Sequence, residues 1–235
     1  MGRLGFERGE GSEPPAGLRE MRRSYHDRIA EVRERSISII RSSVGGTRAA
    51  TLRLVAGGEP AGDDGPPDAA AAQAVAAGVD AEVVSLLALE SPMARDLRVI
   101  LASRDVTQIG LLCIGLCRTL DARVARAADA LTPELSRLVG AVGAGTERLL
   151  AVAESAWAIL DTEMASEVER AAVEVRAVQT EFMTALLDLG GVPMDAALDL
   201  AMVARAFERL TDHAVEVAER VRFAVSGAPA APDGS

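Results

Sequence analysis

Residues 92–130 read PMARDLRVILASRDVTQIGLLCIGLCRTLDARVARAADA. Apolar side chains recur every three or four positions along this stretch, which is the spacing that one face of an α-helix requires. Pro92 stands in the first turn, where its missing N–H group costs no hydrogen bond. The stretch predicts one helix of roughly 35 residues. The apolar residues of the chain are mainly Ala, Val and Leu and only 3% of all residues are aromatic, which favours an all-α fold.

The helical pattern continues on both sides of this stretch. Asp68 and the triplet Thr132-Pro133-Glu134 are N-terminal start signals, and the loop sequence GGEPAGDDGPP at 57–67 interrupts the pattern. No alternation typical of a strand is found in the sequence. Five further helices are predicted, over Met21 to about Ala56, Asp68 to Glu90, Thr132 to about Leu160, Thr162 to Leu189, and Pro193 to about Ser226.

The third and sixth predicted helices match each other at an offset of 101 residues. A chance match between alanine-rich helices is the alternative, but the apolar register continues along both helices. The sequence therefore predicts two tandem three-helix bundles related by an internal repeat. The predicted parts are a disordered N-terminal extension at 1–20, repeat 1 at 21–130, repeat 2 at 131–227 and a disordered tail at 228–235. The identical pairs are Pro92 with Pro193, Met93 with Met194, Leu97 with Leu198, and Arg104 with Arg205.

Composition limits the classes of function. Apolar residues make up 49% of the chain, enough to bury a core, and the formal net charge is −10. A nucleic-acid binder needs a basic face, so no nucleic-acid partner is predicted. The longest apolar run, 109–117, is far shorter than the ~20 residues of a membrane span, and the first twenty residues lack the apolar segment of a secretory signal. We predict no membrane insertion, and we interpret Cys113 and Cys117 as reduced core thiols.

An acidic row is predicted on the sixth helix. Glu208, Asp212 and Glu216 are spaced i, i+4 and i+8, so they lie within about 80° of one helix face. Oxygen ligands of this kind suit Mg²⁺, Mn²⁺, Ca²⁺ or iron. The alternative is a solvated helix face on which Arg205 and Arg220 supply ordinary ion-pair partners.

Three segments together resemble the PhoU family, and the resemblance covers about residues 21 to 227. They are MRRSYH at 21–26, LLALESPMARDLRVI at 86–100 and ARAFERLTDHA at 204–214. The resemblance implies two tandem three-helix bundles, usually in a homodimer, and a cytoplasmic regulator without catalytic activity. It also implies a role in shutting down phosphate-starvation signalling, between the ATPase subunit of the phosphate ABC transporter and a membrane sensor histidine kinase.

The resemblance also bears on individual residues. In PhoU-like proteins, rows such as that on the sixth helix bind metal, which implies a divalent or iron cation in repeat 2. Repeat 1 departs from the pattern, since its matching positions are Thr107, Leu111 and Gly115, and the fifth helix has Ala172 and Arg176 where acids are expected. The signature residues, expected to pack or to contact partners, are Tyr25, His26, Asp96, Arg98, Arg205 and Arg209.

Two other functions stay open from the sequence. One is a diverged PhoU-like paralogue with another client, as the degenerate first half suggests. The other is a carboxylate metal-binding bundle, although the Glu-x-x-His motif of such bundles does not occur in the sequence. His26 and His213 have no accompanying nucleophile motif, so the sequence predicts no enzyme.

Overall fold

The computed structural model describes residues 16–57, 66–128, 130–188 and 193–227. Within these residues all regular structure is α-helical and no strand occurs, which confirms the predicted all-α class. The helices are α1 (Ala16–Val55), α2 (Ala69–Leu89), α3 (Ala94–Ala128), α4 (Pro133–Ile159), α5 (Thr162–Asp188) and α6 (Met194–Ser226).

Two helices begin at the caps that the sequence predicts. Asp68 Oδ1 accepts hydrogen bonds from the N–H groups of Ala70 and Ala71 at 2.9 and 3.1 Å. Thr132 Oγ1 accepts one from the N–H of Leu135 at 3.2 Å. Each side chain satisfies donors that the first helical turn leaves without an intrahelical partner.

The starts of α3 and α1 differ from the prediction. Helix α3 begins at Ala94 rather than Pro92, because Ser91 and Ala94 adopt left-handed backbone angles, with φ of 47° and 49°, which keep the chain in a turn. Helix α1 begins at Ala16, so 16–20 are helical although the sequence predicts disorder there; most of these residues are good helix formers. The other predicted disordered residues, 1–15 and 228–235, lie outside the described residues.

The helices of each predicted repeat pack together, and the two sets also pack on each other. Helix α3 contacts α1 and α2, while α6 contacts α4 and α5. Between the halves, α1 packs on α4 and α3 packs on α6. These pairs join helices that the repeat makes equivalent, which is the arrangement expected of two copies related by a two-fold axis. The domain boundary at residue 130 stays a prediction.

One apolar core runs through both halves. Trp157 of α4 is fully buried, and its Nε1 donates a hydrogen bond to Ser36 Oγ of α1 at 2.8 Å. The two helices approach closely at Gly143, where a Cβ atom would lie 2.2 Å from Thr51 Oγ1. Helices α1 and α4 therefore form a close contact between the halves.

The two cysteines belong to this core. Cys113 and Cys117 are both buried and neither forms a disulfide, as the sequence predicts. Burial raises the pKa of Cys117 to about 11 and raises that of Cys113 well above its usual range. Both side chains are therefore neutral thiols at neutral pH.

Two helices have the length and composition of a membrane span. They are α2 (Ala69–Leu89) and the part of α3 at Ala94–Val124, and this differs from the expectation based on the longest uninterrupted apolar run. In the most apolar 18-residue segment of α3, 56% is buried, as in a core helix of a soluble protein. In the corresponding segment of α2, only 28% is buried. Helix α2 therefore presents most of its apolar surface outside the core.

Candidate functional site

The three predicted carboxylates lie on α6, and each has a basic neighbour. Glu208 pairs with Arg205 at 2.7 Å, and Asp212 pairs with Arg176 of α5 at 3.0 Å. Glu216 accepts a hydrogen bond at 3.0 Å from Nδ1 of His213, if that nitrogen carries the proton. This hydrogen bond holds the pKa of Glu216 below its usual range. Two carboxylates of the acidic row are thus paired with arginines of the same chain, and the third lies against a histidine.

A buried polar layer holds these helices in register. Gln179 of α5 donates from Nε2 to Thr211 Oγ1 of α6 at 3.0 Å. The Thr211 hydroxyl also lies 3.2 Å from the hydroxyl of Thr146 in α4. Hydrogen bonds between buried groups fix the rotation of α5 and α6 because an unpaired group would be costly there. The fixed rotation places Arg176 opposite Asp212.

A cavity of about 450 Å³ lies beside these ion pairs. Its polar rim contains Arg176, Arg205 and Glu208, while Phe182 and Met183 contribute apolar wall. Both guanidinium groups already have carboxylate partners, Glu208 on the rim and Asp212 outside the cavity lining. The cavity offers room for a small molecule but no unpaired charge to select one.

The residues present do not fit a bound metal ion. In the part of the chain that the structure describes, no group of three or more His, Cys, Asp or Glu side chains could hold one. In repeat 1, Thr107 is buried and its hydroxyl donates to the carbonyl of Ser103 at 2.8 Å, and Gly115 has no side chain to offer. The cation expected from the resemblance stays a prediction that the donor set does not support.

The N-terminal signature residues form a contact between α1 and α3. The hydroxyl of Tyr25 donates to Asp96 Oδ2 at 3.3 Å, and its ring meets that of His26 edge to face, with centroids 5.3 Å apart. Partial burial and the neighbouring Asp96 carboxylate raise the pKa of Tyr25. Tyr25 and Asp96 therefore fasten the start of α3 to α1.

The signature arginines have different surroundings. Arg98 is half-buried and donates to the carbonyl oxygens of Ala224 and Val225, at 3.4 and 3.2 Å. A cation at the C-terminal end of a helix compensates the unpaired carbonyl groups there. Arg205 forms the pair with Glu208, and Arg209 is exposed. Asp96 and Arg98 therefore each form a hydrogen bond to another helix, and Arg98 also shows that α3 and α6 are antiparallel.

A further cluster was not singled out by the sequence analysis. Asp199 of α6 is 5% exposed, and its carboxylate pairs with Arg123 at 2.5 Å and with Arg126 at 2.7 Å, both from α3. The hydrogen bond from Arg126, together with that from Arg123, holds the pKa of Asp199 below its usual range. The internal repeat could have pointed to Asp199, because the offset of 101 makes Asp199 the equivalent of the signature residue Arg98.

Each end of the molecule exposes a matching set of apolar side chains. Met93 at the start of α3 is 79% exposed and its repeat equivalent Met194 at the start of α6 is 84% exposed. Leu198, one turn after Met194 on α6, is also exposed. Two turns after Met93 and Met194, the equivalent residues Leu101 of α3 and Met202 of α6 are exposed as well. Because α3 and α6 are antiparallel, the two sets lie at opposite ends. We call them the apolar ends.

Comparisons with known sequences find similarity to PhoU proteins. A model of the PhoU domain matches residues 141–221, within α4, α5 and α6. The phosphate-specific transport system accessory protein PhoU homolog 2 of Mycobacterium tuberculosis is 27% identical over 215 residues, covering 88% of this chain and 99% of that protein. PhoU homolog 1 of Mycobacterium leprae is 26% identical over 214 residues, covering 88% and 95%.

Solved structures share the fold. PhoU from Pseudomonas aeruginosa superposes with a TM-score of 0.75 at 19% identity, over 87% of this chain and all of that one. The phosphate transport system regulatory protein PhoU from Streptococcus pneumoniae superposes with a TM-score of 0.68 at 12% identity, over 88% and 100%. The likeness covers both three-helix units.

Proposed function

This chain belongs to the PhoU family, and from this premise we propose that it regulates phosphate uptake. In this proposal it is a cytoplasmic, non-enzymatic homodimer that keeps phosphate-starvation signalling off while phosphate is ample. It does so by contacting the ATPase subunit of the phosphate ABC transporter and a sensor histidine kinase. The observation that carries the proposal is the similarity to a phosphate-specific transport accessory protein over 88% of this chain and 99% of that protein.

The apolar ends support docking as the mode of action. Exposed Met and Leu side chains that lie together are typical of protein-contact surfaces, and the flexible thioether of Met adapts to different partners. The two ends are repeat equivalents, so one kind of partner segment fits both. We therefore place the contact with transporter or kinase components at Met93 and Leu101 and at Met194, Leu198 and Met202.

The proposal is tested first by deleting the gene. In high-phosphate medium we expect the deletion strain to show raised phosphate uptake and raised output of a starvation reporter, with both restored by the intact gene. Unchanged uptake and reporter output would contradict the proposal.

The docking surface is tested by a double substitution, Met194→Ser with Leu198→Ser. Both side chains are mostly exposed, at 84% and 60%, so the helical fold should persist while repression of the reporter is lost. Leu112→Ser is the matched control, because Leu112 is 54% exposed but lies in the middle of α3, away from both ends. Full repression by the double variant would exclude this end as a docking surface.

A second candidate is a diverged member of the family with a different client. It is favoured by repeat 1, where Thr107, Leu111 and Gly115 replace the acidic row of repeat 2. This candidate predicts normal phosphate uptake in the deletion strain, and co-purification of a protein outside the phosphate system with the tagged chain. Co-purification of the phosphate transporter ATPase subunit would decide against it.

A further inference from the structure

We propose that Arg176 is a tethered cation that bridges α5 and α6 in the place of a metal ion, so that this face of repeat 2 functions without divalent cations. Arg176 stands on α5, and its Nη2 lies 3.0 Å from Oδ1 of Asp212 on α6. It thereby makes the link between the two helices that a cation shared by carboxylates would make.

The charges on this face oppose a second cation. Glu208 and Asp212 contribute two negative charges, and Arg205 and Arg176 balance them in two ion pairs. A guanidinium group stays protonated at any physiological pH and cannot leave the site by dissociation. A divalent ion entering here would lie beside two fixed positive charges and would have to displace both from their carboxylates.

Repeat 1 also has an arginine–aspartate pair between its second and third helices, but the two helices exchange the arginine and the aspartate. Arg104, which the repeat makes equivalent to Arg205, pairs with Asp80 of α2 at 3.0 Å. In each half, one arginine–aspartate pair therefore joins the second helix to the third. In repeat 1 the third helix supplies the arginine, and in repeat 2 the second helix supplies it. The same solution in both halves indicates that an internal ion pair, rather than a metal, holds these faces.

The test uses the purified full chain and its variant Arg176→Glu, which removes the arginine partner of Asp212 and adds a carboxylate beside Glu208 and Asp212. Mn²⁺ is the probe because it accepts carboxylate oxygen ligands readily. Arg170→Glu is the matched control, since Arg170 is an exposed arginine of the same helix and the change in charge is the same. Metal content after purification and melting temperature with Mn²⁺ or with a chelator are measured for each protein.

For the native chain and Arg170→Glu we expect no retained metal and the same melting temperature with Mn²⁺ as with a chelator. Arg176→Glu should melt lower than the native chain in chelator and should regain stability on addition of Mn²⁺, as a ligand that binds only the folded state requires. Stoichiometric metal in the native chain, or its stabilisation by Mn²⁺, would overturn the proposal.

Indifference of the Arg176→Glu protein to Mn²⁺ would equally overturn the role given to Arg176. If that variant does not fold, Arg176→Ala with Arg205→Ala leaves Glu208 and Asp212 unpaired and should gain the same response to Mn²⁺. These measurements are independent of phosphate uptake, so the outcome does not depend on the proposed function.

Discussion

The hydrogen bond between Trp157 and Ser36 offers a direct test of how the two halves are held together. Both side chains are fully buried, and Nε1 of the indole donates to Ser36 Oγ at 2.8 Å. In Ser36→Ala the indole N–H loses its acceptor in a dry core, which costs about 1–3 kcal/mol. In Trp157→Phe the Ser36 hydroxyl keeps its own bond to the carbonyl of Arg33, at 2.6 Å. That variant loses part of the volume of the indole and one hydrogen bond, which should lower the free energy of unfolding by roughly 1–3 kcal/mol.

The double variant removes both partners at once. We expect it to cost less than the sum of the single variants, by about 1 kcal/mol, because no buried donor then remains unpaired. At about 2–4 °C per kcal/mol for a chain of this size, the single variants should melt several degrees lower.

Urea denaturation followed by circular dichroism is the suitable assay, since Trp157 is the single tryptophan and its removal abolishes the fluorescence signal. Ser38→Ala is the control: its hydroxyl is exposed on α1 and donates only to the carbonyl of Arg35, at 2.7 Å, so it should be nearly neutral. Additive costs within about 0.3 kcal/mol would refute the reasoning. So would a cost of Ser36→Ala below roughly 0.5 kcal/mol.

Two further predictions follow from the shifted pKa values. The pKa of Asp199 is depressed in the folded state, so its contribution is present above the unfolded pKa of about 4 and is lost as pH falls through the lower folded value. The stability difference between the native chain and Asp199→Asn should therefore be constant from neutral pH down to the unfolded pKa and shrink below it; a constant difference in acid would contradict this. Burial and the raised pKa values of Cys113 and Cys117 predict that neither thiol reacts with a thiol reagent in the native chain, while both react in urea. Rapid labelling without denaturant would show that this part of the core opens.

The fold could be predicted because helix periodicity and start signals are local. The apolar spacing at 92–130 reflects the face that α3 buries, and Asp68 and Thr132 satisfy donors only two or three residues away. The start of α3 could not be predicted from proline placement alone. It depends on the left-handed turn at Ser91 and Ala94, two residue types that seldom adopt such angles, so the sequence gives no sign of the turn.

The candidate site could be predicted only in part. The sequence places Glu208, Asp212 and Glu216 on one helix face, and the structure agrees on the face. The sequence could not show that Arg176 of α5 reaches Asp212 of α6, because the two residues are 36 positions apart in the chain. The spacing of carboxylates along one helix says nothing about the charge that a neighbouring helix presents, and that charge decides between a metal ion and an ion pair.

By itself, the sequence determined the helical class, the repeat and the family, because each is carried by patterns within a single helix or by similarity along the chain. Tertiary structure alone decided which charges meet. Arg98 at the end of α6, Asp199 between two arginines of α3, and Arg176 on Asp212 all pair residues from different helices. Such pairs depend on the rotation and direction of packed helices, which are set by buried contacts such as those of Gln179 and Trp157 rather than by the order of residues.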